Sequence, residues 1–197
     1  FLFGSNPILG TVLGILTMLL IGAIFGAVNG FAVTRLKMPS FISSMATMLV
    51  GAAFATWFAS AVCKKTSIGG LPEVFTALGG AGNYFFIPIV IALLMWLLAD
   101  FLLKKTKFGR DVYSVGTNPK AAFISGIHVK KTIFWMFMIS GLYAAVESIL
   151  LTARNQAGMS SLGSTMFLNI VSAVVIGGTS VSGGFGGVRQ TFLGAGF

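Results

Sequence analysis

The sequence predicts an all-α, polytopic membrane protein: a bundle of about four to five spans with one short helix in a basic loop. Three observations predict it. Hydrophobic residues make up 56% of the 197-residue chain and charged residues only 9%, against about 25% in soluble domains. Uncharged apolar runs recur that are long enough to cross about 30 Å of hydrocarbon. The 13 basic residues gather in loops beside those runs, as orientation in a bilayer requires.

Other classes fit poorly. A pI near 10.1 would otherwise suggest nucleic acid, but here the bases flank apolar spans instead of forming a groove-binding stripe. The single cysteine, Cys63, excludes an internal disulfide and a metal cluster. Residues 1–34 carry no charge, so no basic signal-peptide start is recognisable. The first residue is Phe and the last seven, TFLGAGF, read as the start of another span. The expectation is one transmembrane domain over residues 1–197, a fragment incomplete at both ends.

In chain order, Ile8–Val33 is the first span. Gly10, Gly14, Gly22, Gly26 and Gly30 recur at multiples of four, a flat face that lets another helix approach closely where lipid supplies no hydrophobic drive. Arg35–Pro39 is a short basic loop. Ser40–Val62 is the second span, again with small residues every four: Ser43, Thr47, Gly51, Ala55 and Ala59. Two such faces predict packing on each other or on a shared neighbour.

Cys63–Asn83 holds Lys64, Lys65, Pro72, Glu73 and five glycines; it reads as a loop with a half-helix at Glu73–Leu78. Tyr84–Leu103 is the third span, bulky throughout and so peripheral and lipid-facing. Asp100 near its end can reach Lys104 or Lys105. Thr132–Leu151 is the fourth span, with Glu147 inside it and within reach of Arg154. Leu162–Ile176 is a weaker apolar stretch. The glycine-rich run Gly177–Gly187 after it predicts a broken helix or re-entrant turn, tolerated only where protein or water surrounds it.

The stretch Lys104–Lys131 holds seven of the 13 basic residues. Within it Asn118 can cap free amides, Pro119 follows where its missing N–H costs nothing, and Gly126 can end the helix left-handed. The helix is too short to stand alone in water, and it shows Phe123 and Ile124. It must dock, either on this chain's own helix ends or on a partner. Placing Lys104–Lys131 and Arg35–Pro39 inside puts nine basic residues in the cytoplasm and three (Lys64, Lys65, Arg154) outside, in accord with the positive-inside rule.

No catalytic set is legible. There is one histidine, His128, and four dispersed acids. Gly178-x-x-x-x-Gly183 is followed by Gly184 where a phosphate loop needs Lys, and no dinucleotide fingerprint fits. Asn29, Ser43, Thr47, Asn169 and Ser172 are uncharged polar groups within apolar stretches. They suit either a path that hydrogen-bonds hydroxyls or bonds between helices.

Two motifs carry a family resemblance. Thr106-Lys107-Phe108-Gly109-Arg110, with Gly116-x-Asn118-x-x-Ala121-Ala122-x-x-Ser125-Gly126-Ile127, resembles the cytoplasmic loop of permease subunits of bacterial sugar-importing ABC transporters, the ribose/galactose/xylose type. Ser172-Ala173-Val174-Val175-Ile176-Gly177-Gly178-Thr179-Ser180-x-x-Gly183-Gly184-x-Gly186 resembles the second signature, and Gly26-x-x-Asn29-Gly30 and Pro39-Ser40-Phe41-Ile42 fit as well. The resemblance implies a multi-pass protein of the bacterial inner membrane that is not itself an enzyme and needs no cofactor. It implies that the short helix, through Asn118, Ala121, Ala122, Phe123, Ser125 and Gly126, is the coupling helix that docks on a separate ATPase subunit. A second permease copy, an extracytoplasmic solute-binding protein and membrane lipid are the other implied partners, and nucleic acid is not. The chain departs from the family pattern at Phe167 and Asn169, where acids are usual, at Gln190, where glycine is, and at Glu147, where a small residue is. The reading from a different class is a secondary transporter, for which Glu147 and the glycine run are the only support.

Overall fold

The computed structural model describes residues 7–64, 67–80, 82, 84–160, 162–163, 166–180 and 183–196. Phe1, Lys65, Asn83, Val181, Ser182 and Phe197, each part of a stretch discussed above, lie outside the described residues, as does the side chain of Cys63.

Four long helices carry the expected spans: α1 (Pro7–Arg35), α2 (Ser40–Phe58), α4 (Phe86–Lys105) and α7 (Val129–Asn155). All four are long and apolar enough to cross a membrane. The half-helix is α3 (Glu73–Leu78), set between Pro72 and Gly79. The weaker apolar stretch Leu162–Ile176 forms α8 (Phe167–Ile176), and α9 (Val188–Ala195) follows the glycine-rich run. At about 1.5 Å per residue, the 10 residues of α8 reach only about half the hydrocarbon thickness.

Four elements have no counterpart in the sequence pattern described above. The end of α2 widens into a π-helical turn, Ala59–Cys63, closed by Lys64 in the left-handed region. Strand β1 (Ser67–Gly69) pairs antiparallel with β2 (Ala157–Met159), Ser67 opposite Met159 and Gly69 opposite Ala157. The basic loop is mostly helical, with α5 (Lys107–Thr117) preceding the short α6 (Pro119–Ile124). The signal for α5 was present: Phe108, Val112 and Val115 recur at helical spacing, and Thr106 caps the start by accepting from Gly109 N at 3.2 Å.

The chain forms two compact units, one of Phe1–Ile91 with Phe137–Gly163, the other of Ala92–Met136 with Ser164–Phe197. In the first, α1 and α7 cross with backbones touching. A Cβ on Gly22 would lie 2.6 Å from Gly141 O, and one on Gly26 would lie 2.6 Å from Phe137 O. Only part of the predicted glycine face is used this way, since a Cβ on Gly14 would meet nothing within 4 Å. Phe75 of α3 is driven into the core with Ile149 and Ala153, against Ile15, Met18 and Leu19. The glycine at the end of α3, Gly79, sits against the backbone of Ala153 and Arg154. Thus a loop of mixed composition is pinned to the bundle by one aromatic anchor and a short β-ladder.

In the second unit, no residue of α4 is buried, as its bulky composition predicted. Asp100 pairs with Lys104 at 2.8 Å, an ion pair without hydrogen-bond alignment at Oδ1, and with Arg189 at 3.2 Å. The Trp96 ring meets Phe192 tilted at 44°, with 5.3 Å between centroids, and Trp96 donates to Val188 O at 3.4 Å. These contacts fix the start of α9 to the end of α4.

Candidate functional site

Helix α6 is built as its sequence requires. Asn118 Oδ1 accepts from the amides of Lys120 and Ala121 at 3.0 and 3.1 Å, and Pro119 occupies the first turn. At the other end Gly126 has φ +83°. Its amide donates to Phe123 O, and Ile127 N donates to Ala122 O, each at 3.0 Å, which together satisfy the last carbonyls. Ser125 Oγ donates to Ala121 O at 3.0 Å.

The side chains divide sharply. Ala122 is only 4% exposed, in a helix that packs against α5. Phe123 is 72% exposed and Ile124 84%. Ala122 is thus enclosed by this chain and does not belong to the face that α6 offers to a partner. The face left for a partner is Phe123 and Ile124, with Ala121 exposed beside them. That face borders a groove of about 660 Å³ between α6 and the start of α7, rimmed by Lys120, His128, Lys130 and Lys131. An apolar floor with a cationic rim suits a partner whose own apolar residues are framed by carboxylates.

The second location lies in the first unit. Ser43 and Thr47 of α2 both donate to Asn29 Oδ1 of α1, at 3.1 and 2.9 Å. Three of the five predicted path residues are thus brought together, and two of them act by orienting the third. With its oxygen fixed by two hydroxyls, Asn29 lines a cavity of about 520 Å³ bounded by α1, α2 and α7. Ser44, Ser140 and Ser148 line it too, with no charged side chain among the lining residues. The volume is within the range of small-molecule sites, about 300–1,000 Å³. Ser140 and Ser148 are two turns apart on α7, within the apolar span Thr132–Leu151. Their spacing of eight, with Ala144 between, was the available signal.

Asn169 and Ser172 are exposed on α8, in the second unit. Glu147 is exposed and forms no ion pair with Arg154, the residue within its reach in the sequence. Among the described residues no group of three metal-ligating side chains exists.

A model of the family described as branched-chain amino acid transport system, permease component, matches residues 2–195. The chain is 33% identical over 189 residues to the galactose/methyl galactoside import permease protein of Haemophilus influenzae, covering 91% of this chain and 55% of that protein. It is 34% identical over 197 residues to the ribose import permease protein of Bacillus subtilis, covering 97% and 58%. Against the L-arabinose transport system permease protein of Escherichia coli the figures are 36% over 171 residues, 85% and 50%. The chain spans about half the length of these relatives. No solved structure matches it.

Proposed function

The chain belongs to the family of branched-chain amino acid transport system permease components, and from that premise we propose that it is the transmembrane permease subunit of an ATP-driven importer for a neutral monosaccharide. It is a multi-pass inner-membrane protein and not an enzyme. The observation that carries the proposal is α6, a helix of six residues capped at both ends that turns Phe123 and Ile124 away from its own fold. Exposed apolar side chains on a well-ordered element mark an interaction site. In this reading the partner is an ATPase subunit, which supplies hydrolysis, while a second permease copy and an extracytoplasmic solute-binding protein complete the assembly. The printed functions of the relatives, import of galactose, ribose and arabinose, support a monosaccharide as cargo. Purification through a tag on the permease tests the proposal: an ATPase is expected to co-purify, and transport that continues without ATP would favour a secondary transporter.

Topology provides an independent check. In a Cys63→Ser background, Thr76→Cys is expected to react with a membrane-impermeant thiol reagent in intact cells, and Thr117→Cys only after permeabilisation. The reverse pattern would invert the orientation read from the charge bias.

The Asn29 cavity is the proposed path for solute. An amide and three hydroxyls can exchange hydrogen bonds with a sugar's hydroxyls, and no charged side chain among the lining residues competes for them. Asn29→Ala removes one such partner, worth about 1–1.5 kcal/mol or roughly tenfold in affinity. KM is expected to rise by that factor for whichever of D-galactose, D-ribose and L-arabinose the intact protein takes up, with normal yield. An unchanged KM would remove Asn29 from the path.

A further inference from the structure

We infer that the glycine-rich run between α8 and α9 is a mechanical link, seated on the C-terminal end of α5, that carries movement of the α5–α6 docking segment into the α8–α9 pair. The inference rests on the docking reading above and adds the route by which docking reaches the short helices.

The seat is made of backbone. Tyr113 Oη of α5 donates to Gly186 O at 2.9 Å, across 73 residues of sequence. A Cβ on Gly116 would lie 2.8 Å from Gly184 N, and one on Gly184 would lie 2.9 Å from Thr117 Cα. Gly184 also has φ +80°, so a side chain there is excluded by conformation and by space together. Thr117 immediately precedes Asn118, the cap of the docking helix, so seat and docking helix are adjacent in the chain.

The run is braced within itself and welded to the helices it joins. Ser180 N donates to Phe185 O at 2.9 Å, and Gly183 N to Ser180 O at 3.1 Å. A Cβ on Gly177 would lie 2.5 Å from Gln190 O, and one on Gly194 would lie 2.6 Å from Gly177 N. Besides the Tyr113 hydroxyl and the Thr179–Thr191 hydroxyl pair, the close approaches from α5 to α9 are backbone against backbone. A side chain between two elements absorbs a shift by changing rotamer, whereas touching backbones pass it on, because close-packed protein has little compressibility. This also explains two of the glycines that fit neither a phosphate loop nor a dinucleotide site: Gly183 and Gly184 let α5 approach. The far end of the link is α8, where Asn169 and Ser172 are exposed.

The test uses the complex purified from its native membrane through a tag on the permease, in a Cys63→Ser background with Ser172→Cys as reporter. N-ethylmaleimide labelling of that cysteine is timed with and without ATP and vanadate, and retained ATPase is measured on the same samples. The parent is expected to change its labelling rate by about fivefold or more, the lower end for coupled sites. Gly116→Ala and Tyr113→Phe are expected to abolish the change while retaining as much ATPase as the parent. Tyr113→Phe removes one hydroxyl and keeps the ring, so it decides the matter if Gly116→Ala folds poorly. A parent that retains ATPase without any change in labelling, or variants that respond as the parent does, would overturn the link and leave docking intact. A parent that retains no ATPase would overturn the docking reading, and the link with it.

Discussion

Replacing Phe123 and Ile124 together by serine is expected to strip the ATPase from the permease without disturbing its membrane helices. Both side chains are largely exposed, at 72% and 84%, so folding of this chain loses little when they are removed. At an interface the same groups would be buried, and truncating anchors of this kind costs about 2 kcal/mol or more each. Two together correspond to a loss of about a thousandfold in affinity. The measurement is ATPase activity co-purifying with equal amounts of permease. Undiminished activity in the double variant would mean that docking occurs elsewhere. Ala122→Trp is not an equivalent probe: the residue is 4% exposed, and enlarging it would damage the α5–α6 contact from within.

The second large effect is expected at Gly141, where α7 crosses α1. A Cβ there would press on Gly22 O and lie 2.9 Å from Gly26 Cα. Gly141→Leu must force the helices apart, at a cost of about 1–3 kcal/mol or more. At about 2–4 °C per kcal/mol for a chain of this size, the apparent melting temperature of the detergent-solubilised protein should fall by about 5–10 °C. Gly14→Leu provides the contrast, because a Cβ there meets nothing within 4 Å, and it should melt within a degree or two of the parent. Equal losses at the two positions would show that the crossing is not where the structure has it.

Those two glycines show what the sequence reveals and what it hides. Gly14, Gly22 and Gly26 belong to one period, and periodicity identifies a face without saying where along it the partner crosses. Local chemistry was legible to the residue: Pro72 and Gly79 bracket α3, and Asn118, Pro119 and Gly126 bracket α6, because caps act over three or four residues. Long-range pairings were not legible. Asp100 was expected to meet a lysine one turn away and does, but Arg189, 89 residues on, has no local signature. The β1–β2 ladder joins two three-residue segments that are too short for an alternation pattern. The α5 helix was hidden by its charges, which obscured the spacing of Phe108, Val112 and Val115. Asn29, Ser43 and Thr47 stand out in the sequence as uncharged polar groups within spans. The sequence could not separate Asn29, which faces the cavity, from the two hydroxyls that hold it.

The Thr47 hydroxyl has one hydrogen and three acceptors within reach: Asn29 Oδ1 at 2.9 Å, Ser44 O at 3.0 Å and Ser43 O at 3.1 Å. Only one can receive it at a time. A donor stranded in hydrocarbon would cost several kcal/mol, and a seam held by such a bond would be rigid. Here, if α1 slides along α2, the Thr47 proton can turn back to a carbonyl of its own helix, whereas the Ser43 hydroxyl, in a residue only 2% exposed, would lose Asn29 as its acceptor. The join between these helices is therefore exchangeable at Thr47 and pinned at Ser43, one turn away.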